Sequence, residues 1–171
     1  MSLFERLKTV SSFALLFCVI VACNQSGSSG EPTTLKSSDG KFQITVPGGW
    51  TAKSPAGGEI IKAANGSGDM DVSVDAISKG SPEDGATIDK IAEAGRNAVA
   101  NNSSGVTQLE SLMINGSAAR QFEARKDNDK CLLTVIETSE HFHTISICTP
   151  VSKYDENKPT LKQITESFRA L

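Results

Sequence analysis

Residues 131–138 and 141–149 read as a hairpin that is apolar on both faces, and few folds can accommodate one. Leu132, Ile136, Ile145 and Ile147 fall on one side and Leu133, Val135 and Phe142 on the other, at the two-residue period of extended chain. Such a strand pair has to be covered twice, and sheets covered on both faces are layered with helices. Two segments predict the covers. Ser81-Pro82-Glu83-Asp84 combines an N-cap, a first-turn proline and first-turn acids, and a second start at Thr87 leads into the stripe Ile88, Ile91, Ala92, Gly95 and Val99. Gly95 on a buried stripe costs roughly 1 kcal/mol against Ala, which predicts a close approach of helix and sheet there. After Pro159, Leu161, Ile164, Phe168 and Leu171 recur at helical spacing and predict a terminal helix.

The remaining strands are announced by alternation and by turn residues. Phe42, Ile44 and Val46 alternate with polar residues over 41–46, stopped by Pro47-Gly48-Gly49. Residues 59–63 and 70–77 flank Asn65-Gly66-Ser67-Gly68, with Met70, Val72, Val74 and Ala76 on one face. Residues 106–114 and 118–126 flank Asn115-Gly116, a pair suited to a turn with two positive φ angles. The single Trp50 is read as packing mass in preference to a ligand platform.

Directly opposed residues in an antiparallel pair keep a constant index sum. A turn centred on Ser139 and Glu140 gives 279, which is also the sum for Cys131 and Cys148. The two cysteines then face each other, where Cβ atoms lie close enough for a disulfide. Closing the loop contributes ~3 kcal/mol through the unfolded chain; the alternative is a pair of buried free thiols.

The other two cysteines, Cys18 and Cys23, lie near the amino terminus. Arg6 and Lys8 precede an uncharged run over 13–22, and Ile20-Val21-Ala22-Cys23 ends it. This resembles the bacterial lipoprotein signal, in which the cysteine is diacylglycerylated, the peptide is cut before it, and the new amine is acylated, with palmitate for example. The run is shorter than the ~20 residues of a membrane span, and a secretory signal cut at another small residue is the remaining rival. Residues 1–22 are therefore expected to be signal, Cys23 to be lipidated, 23–33 to be anchor and tether, and 34–171 to form one globular domain. The ten polar residues 24–33 reach ~35 Å fully extended. Asn24 in place of Asp resembles the enterobacterial rule for release to the periplasmic face of the outer membrane. Without Arg6, Lys8 and Glu5 the 17 basic and 20 acidic residues become 15 and 19, a formal charge of −4. No basic block offers itself to nucleic acid or to anionic lipid, so the membrane is reached through the acyl groups.

Motifs of catalysis are missing: no Gly-x-Ser-x-Gly, no His-Glu-x-x-His, no Cys-x-x-Cys and no phosphate-cradling glycine loop. His141 and His143, two apart on one strand, are weak metal candidates that need a third ligand such as Glu137. Ser139 beside His141 lacks an orienting third group for nucleophilic catalysis. Asp69, Asp71 and Asp75 lack the spacing of a calcium loop and are read as a solvated strand face.

The order of parts, from Asp39-Gly40-Lys41-Phe42-Gln43-Ile44-Thr45-Val46-Pro47 and Trp50 through a central helix and meandering strands to Ile164-Thr165-Glu166-Ser167-Phe168-Arg169, resembles the PsbP-like domain and is similar in layout to DcrB-like bacterial lipoproteins. The resemblance implies an α+β fold, an α/β/α sandwich around a central antiparallel sheet, used in relatives as an accessory or adaptor on membrane assemblies. It carries no catalytic residues, and the cysteine pair is not part of it. The expectation is a non-enzymatic, lipid-anchored envelope module with a protein partner and no cofactor; the alternative is a periplasmic carrier of a small ligand or metal.

Overall fold

The computed structural model describes residues 30–80 and 85–171. The signal, Cys23, most of the tether and the helix-start residues 81–84 lie outside the described residues. In chain order the elements are β1 (Thr33–Lys36), β2 (Phe42–Val46), β3 (Thr51–Ala52), β4 (Glu59–Ala64), β5 (Asp71–Ser78), α1 (Ile88–Ala100), β6 (Glu110–Ile114), β7 (Ser117–Lys126), β8 (Asp129–Glu137), β9 (His141–Pro150), α2 (Tyr154–Glu166) and β10 (Arg169–Ala170). Seven strands form one antiparallel sheet in the order β3-β4-β5-β9-β8-β7-β6, and β1-β2-β10 form a second, smaller one.

The doubly apolar hairpin, β8 with β9, sits at the middle of the large sheet, and its register pairs Cys131 with Cys148 and Leu132 with Ile147, as the index sum predicts. One face, carrying Leu132, Ile136, Ile145 and Ile147, is covered by α2 and by Phe42, Ile44 and Val46 of the small sheet; Trp50 closes the same core. The other face, carrying Val135 and Phe142, is covered by Ile88, Ile91 and Ala92 of α1. Helix, sheet, helix is the predicted layering, and each face obtains its cover because its residues are apolar. The Asn115-Gly116 turn has φ of 51° and 85°, the left-handed pair that such a two-residue loop demands. Thr87 caps α1 by accepting a hydrogen bond from the Lys90 amide at 3.3 Å.

Four expectations need correction. The terminal helix starts at Tyr154, with Pro159 inside it, and stops at Glu166. Phe168 is buried beyond the helix end, whereas Leu171 is 62 % exposed, because the chain leaves α2 to pair Arg169 and Ala170 with Gln43 and Phe42. Ser167 makes the exit: its hydroxyl accepts from the Thr45 amide at 2.7 Å and donates to the Ile164 carbonyl at 2.6 Å. The Asn115 amide group donates to the carbonyls of Glu166 and Phe168, so a hairpin turn caps a distant helix. Secondly, only Glu110–Ile114 of the segment 106–114 is strand. Thirdly, Thr33 is already in β1, opposite Val46. Fourthly, a Cβ on Gly95 would meet nothing within 4 Å, so α1 does not approach the sheet closely there.

Candidate functional site

An apolar recess opens between the end of α1 and the sheet. Ile88, Ile91 and Ala92 of the α1 stripe cover Val135 and Phe142 near the helix start, but toward its end Ala98 and Val99 stand over a groove of about 400 Å³. Its floor comes from three neighbouring strands: Ala124 of β7, Cys131 and Leu133 of β8, Cys148 of β9. Asn102, Ser103, Lys126 and Ser146 form the polar margin. The hairpin register brings Cys131 and Cys148 to a Cα separation of 4.1 Å, and their sulfurs are bonded to each other. Both cysteines are half-buried, so the bridge is a wall of the groove open to solvent. The Ser146 hydroxyl lies 3.8 Å from Cys148 Sγ. Alternation places Leu133 on this face and the index sum places Cys131 opposite Cys148, but Ala124 is not singled out and no sequence pattern encodes the gap above them.

The histidine pair occupies the opposite face and a different chemistry. His143 is fully buried; its ring centroid lies 4.0 Å from Phe42 and 5.1 Å from Phe168, and 5.7 Å from His141. Burial, and then the neighbouring His141, bring its pKa down to about 4, so the ring is a neutral part of an aromatic cluster. Glu137 is not available as a third ligand: it lies on the other face of the sheet, opposite Phe142, and pairs with the Lys79 ammonium at 2.6 Å. Among the described residues no three His, Cys, Asp or Glu side chains are grouped to hold a metal. Ser139 is exposed at the hairpin tip, and His141 Nδ1 has no hydrogen-bond partner, so the two do not form a nucleophile and base.

The acids of the β4–β5 hairpin separate on inspection. Asp69 belongs to the turn, where it accepts from Asn65, Ser67 and Lys153, and these hydrogen bonds hold its carboxyl far below the ordinary range. Asp71 and Asp75 do lie on the strand, on the groove's side of the sheet, opposite Cys148 and Thr144. A second recess, of about 300 Å³, is lined by Glu110, Gln121, Glu123, Lys158 and Lys162 on the α2 side. Its central acid is committed already: burial alone would raise Glu123, but hydrogen bonds from Lys130 and Lys158, each at 2.6 Å, bring it to about 2. The Lys130 ammonium also sits 4.1 Å from the ring centre of buried Tyr154. Charges that satisfy each other in this way leave little to hold a ligand.

Among the described residues no helix is long and apolar enough to cross a membrane. No protein-family model matches the chain, and no curated protein matches it in sequence. Solved structures do. The cyanobacterial PsbP protein CyanoP from Synechocystis superposes with a TM-score of 0.63 at 15 % identity, over 89 % of this chain and 99 % of that one. LpqN of Mycobacterium tuberculosis, described as involved in cell envelope biogenesis, gives 0.56 at 11 % identity over 80 % and 88 %. The Ran-binding protein Mog1p of Saccharomyces cerevisiae gives 0.53 at 12 % identity over 83 % and 96 %. At these identities the likeness concerns architecture, and on that ground the domain has a PsbP-like fold.

Proposed function

We propose that this chain is a lipid-anchored protein of the bacterial envelope, held through Cys23 at the periplasmic face of the outer membrane, and that its domain is a non-catalytic module that docks another envelope protein. The single observation that carries the docking is the groove over Cys131 and Cys148, an apolar and solvent-open recess of about 400 Å³. Recesses of this size and lining recognise apolar groups. Their exposure is a cost to a free protein that a partner offsets. The anchor rests on the Ile20-Val21-Ala22-Cys23 box, and a polar tether leaves the domain free to meet partners close to its membrane. The fold is used for binding in Mog1p and in an envelope setting by LpqN, which agrees with this reading.

A photoreactive amino acid placed at Ser103, on the groove margin, tests the docking in intact cells. The expected result is a discrete crosslinked protein that disappears when the probe is moved to Lys36 on the small sheet. Equal yields at both positions, or none at Ser103, overturn the docking. Peptide masses showing an unmodified Cys23 in the membrane-extracted protein overturn the anchor.

The volume of the groove also favours a second reading, in which it carries a small apolar molecule. Native mass spectrometry separates the two, since a carrier releases a ligand of defined mass on denaturation.

A further inference from the structure

The bridge at the floor of the groove is placed where the fold has least need of it. It joins β8 and β9, which are neighbours paired at nine positions and flanked in the same sheet by β7 and β5. It ties no layer to another. A disulfide of this kind acts on the unfolded chain more than on the native one, so its opening leaves the sheet intact. Both cysteines nonetheless border an apolar recess, each side chain half-buried, with Ser146 Oγ beside Cys148 Sγ and Lys126 among the residues of the margin. The Ser146 hydroxyl is a donor for a thiolate departing on Cys148, whereas Asp71, opposite Cys148 in the sheet, opposes its charge, so the hydroxyl carries the leaving group.

We infer that Cys131–Cys148 is a thiol-exchange site and that the occupant of the groove is a protein dithiol, whose apolar surroundings seat against Val99 and Leu133. This deepens the docking reading by naming the chemistry of the partner, and rests on that reading for the partner's presence in the envelope.

A thiolate of the partner attacks Cys131 Sγ. A sulfur–sulfur bond forms between them, the bond to Cys148 breaks, and its electron pair leaves on Cys148 as thiolate, which accepts a hydrogen bond from Ser146 and then a proton from water. The partner's second thiol loses its proton and attacks the partner sulfur of the mixed disulfide. Cys131 leaves as thiolate and takes up a proton. This chain has then gained two electrons and two protons, and the partner dithiol has become a disulfide.

The test uses the purified mature chain in mild detergent, with reduced thioredoxin as the dithiol probe, and reads alkylation of Cys131 and Cys148 by peptide mass. Both cysteines are expected to label in the native protein, at a rate proportional to thioredoxin concentration and with the far-ultraviolet dichroism unchanged. Filling the groove with Val99→Phe is expected to slow labelling about tenfold or more, whereas Ala94→Phe, on the exposed side of the same helix, leaves it unchanged. Thioredoxin lacking its second cysteine is expected to be trapped on Cys131. A rate independent of thioredoxin, meaning that the bridge opens only on unfolding, overturns the inference, and so does trapping on Cys148. If Val99→Phe fails to fold, Ser146→Ala takes its place: labelling slowed several-fold at unchanged melting temperature supports the site, and an unchanged rate overturns it. Because the readout is on purified protein, its failure leaves the crosslinking result standing, and failed crosslinking leaves the exchange chemistry intact.

Discussion

The two faces of the seven-stranded sheet are built from the same hairpin and finished differently. The face toward α2 is sealed by a helix and a second sheet, and its core runs unbroken from Trp50 through Ile44, Ile136 and Leu161 to Phe168. The face toward α1 is covered by one helix through Ile88, Ile91 and Ala92, and a groove stays open around the bridge. Sealing has a polar cost: His143 Nδ1 is buried without a hydrogen-bond partner among the described residues. On the function proposed above, the sealed face supplies stability and the open one recognition. A fold shared by proteins of unlike sequence can vary in this way, with the sealed face maintained by packing and the open one left to change.

The largest effect that separates the faces is truncation. Phe42→Ala removes a ring that packs tilted against His143 and stacks with Phe168 in the sealed core and is expected to lower unfolding free energy by about 3–5 kcal/mol. Leu133→Ala on the groove floor, half-buried already, is expected to lower it by only about 1 kcal/mol. Urea unfolding of the two variants measures the difference. Equal losses break the contrast and mean that the groove is as tightly packed as the core.

Acid is the next discriminator, since the buried titrating histidine is on the sealed face. Its pKa is about 4 in the fold against 6.5 for an exposed ring. Between those values the unfolded chain binds the additional proton, so a contribution present above pH 6.5 is lost as pH falls toward 4, at a slope of at most about 1.4 kcal/mol per pH unit. Below that window the paired carboxylates Glu123 and Glu59 lose their contribution as well, whereas Asp75, raised by burial and by Glu59, opposes the trend. His143→Leu is expected to flatten the curve from pH 6.5 to 4 and to leave the fall below it. A persistent slope in that variant assigns the acid sensitivity elsewhere.

These contrasts bear on what a sequence can disclose. Alternation and turn chemistry are local, and they were enough for the β8–β9 register, for Asn115-Gly116 and for the need of two covers. The same register excludes Glu137 from the histidines, because an odd index sum puts Glu137 with Phe142 and on the face away from His143. The end of α2 was not legible, since Ser167 acts through Thr45 and Asn115 acts through Glu166, partners more than 50 residues away along the chain. Strands as short as β1 and β10 carry no periodicity to read and are fixed by their pairing with β2. The groove is least legible of all, because it is a space. Leu133 of its floor follows from alternation and the facing cysteines from the index sum, but its height depends on how far α1 stands from the sheet, which no residue pattern states.

Gly95 offers the smallest effect and the most direct measure of that height. A glycine retained at a helix interior is explained by close packing when a methyl group has no room, and here the methyl has room. Gly95→Ala is therefore expected to stabilise the protein by about 1 kcal/mol, the ordinary helix preference undiminished by a clash. Gly116→Ala, at a φ of 85°, supplies the opposite control and is expected to destabilise by a similar or larger amount. Thermal melts of the two variants decide the matter. A loss at Gly95 would mean that α1 rests on the sheet at that turn, and that close packing demands the glycine after all.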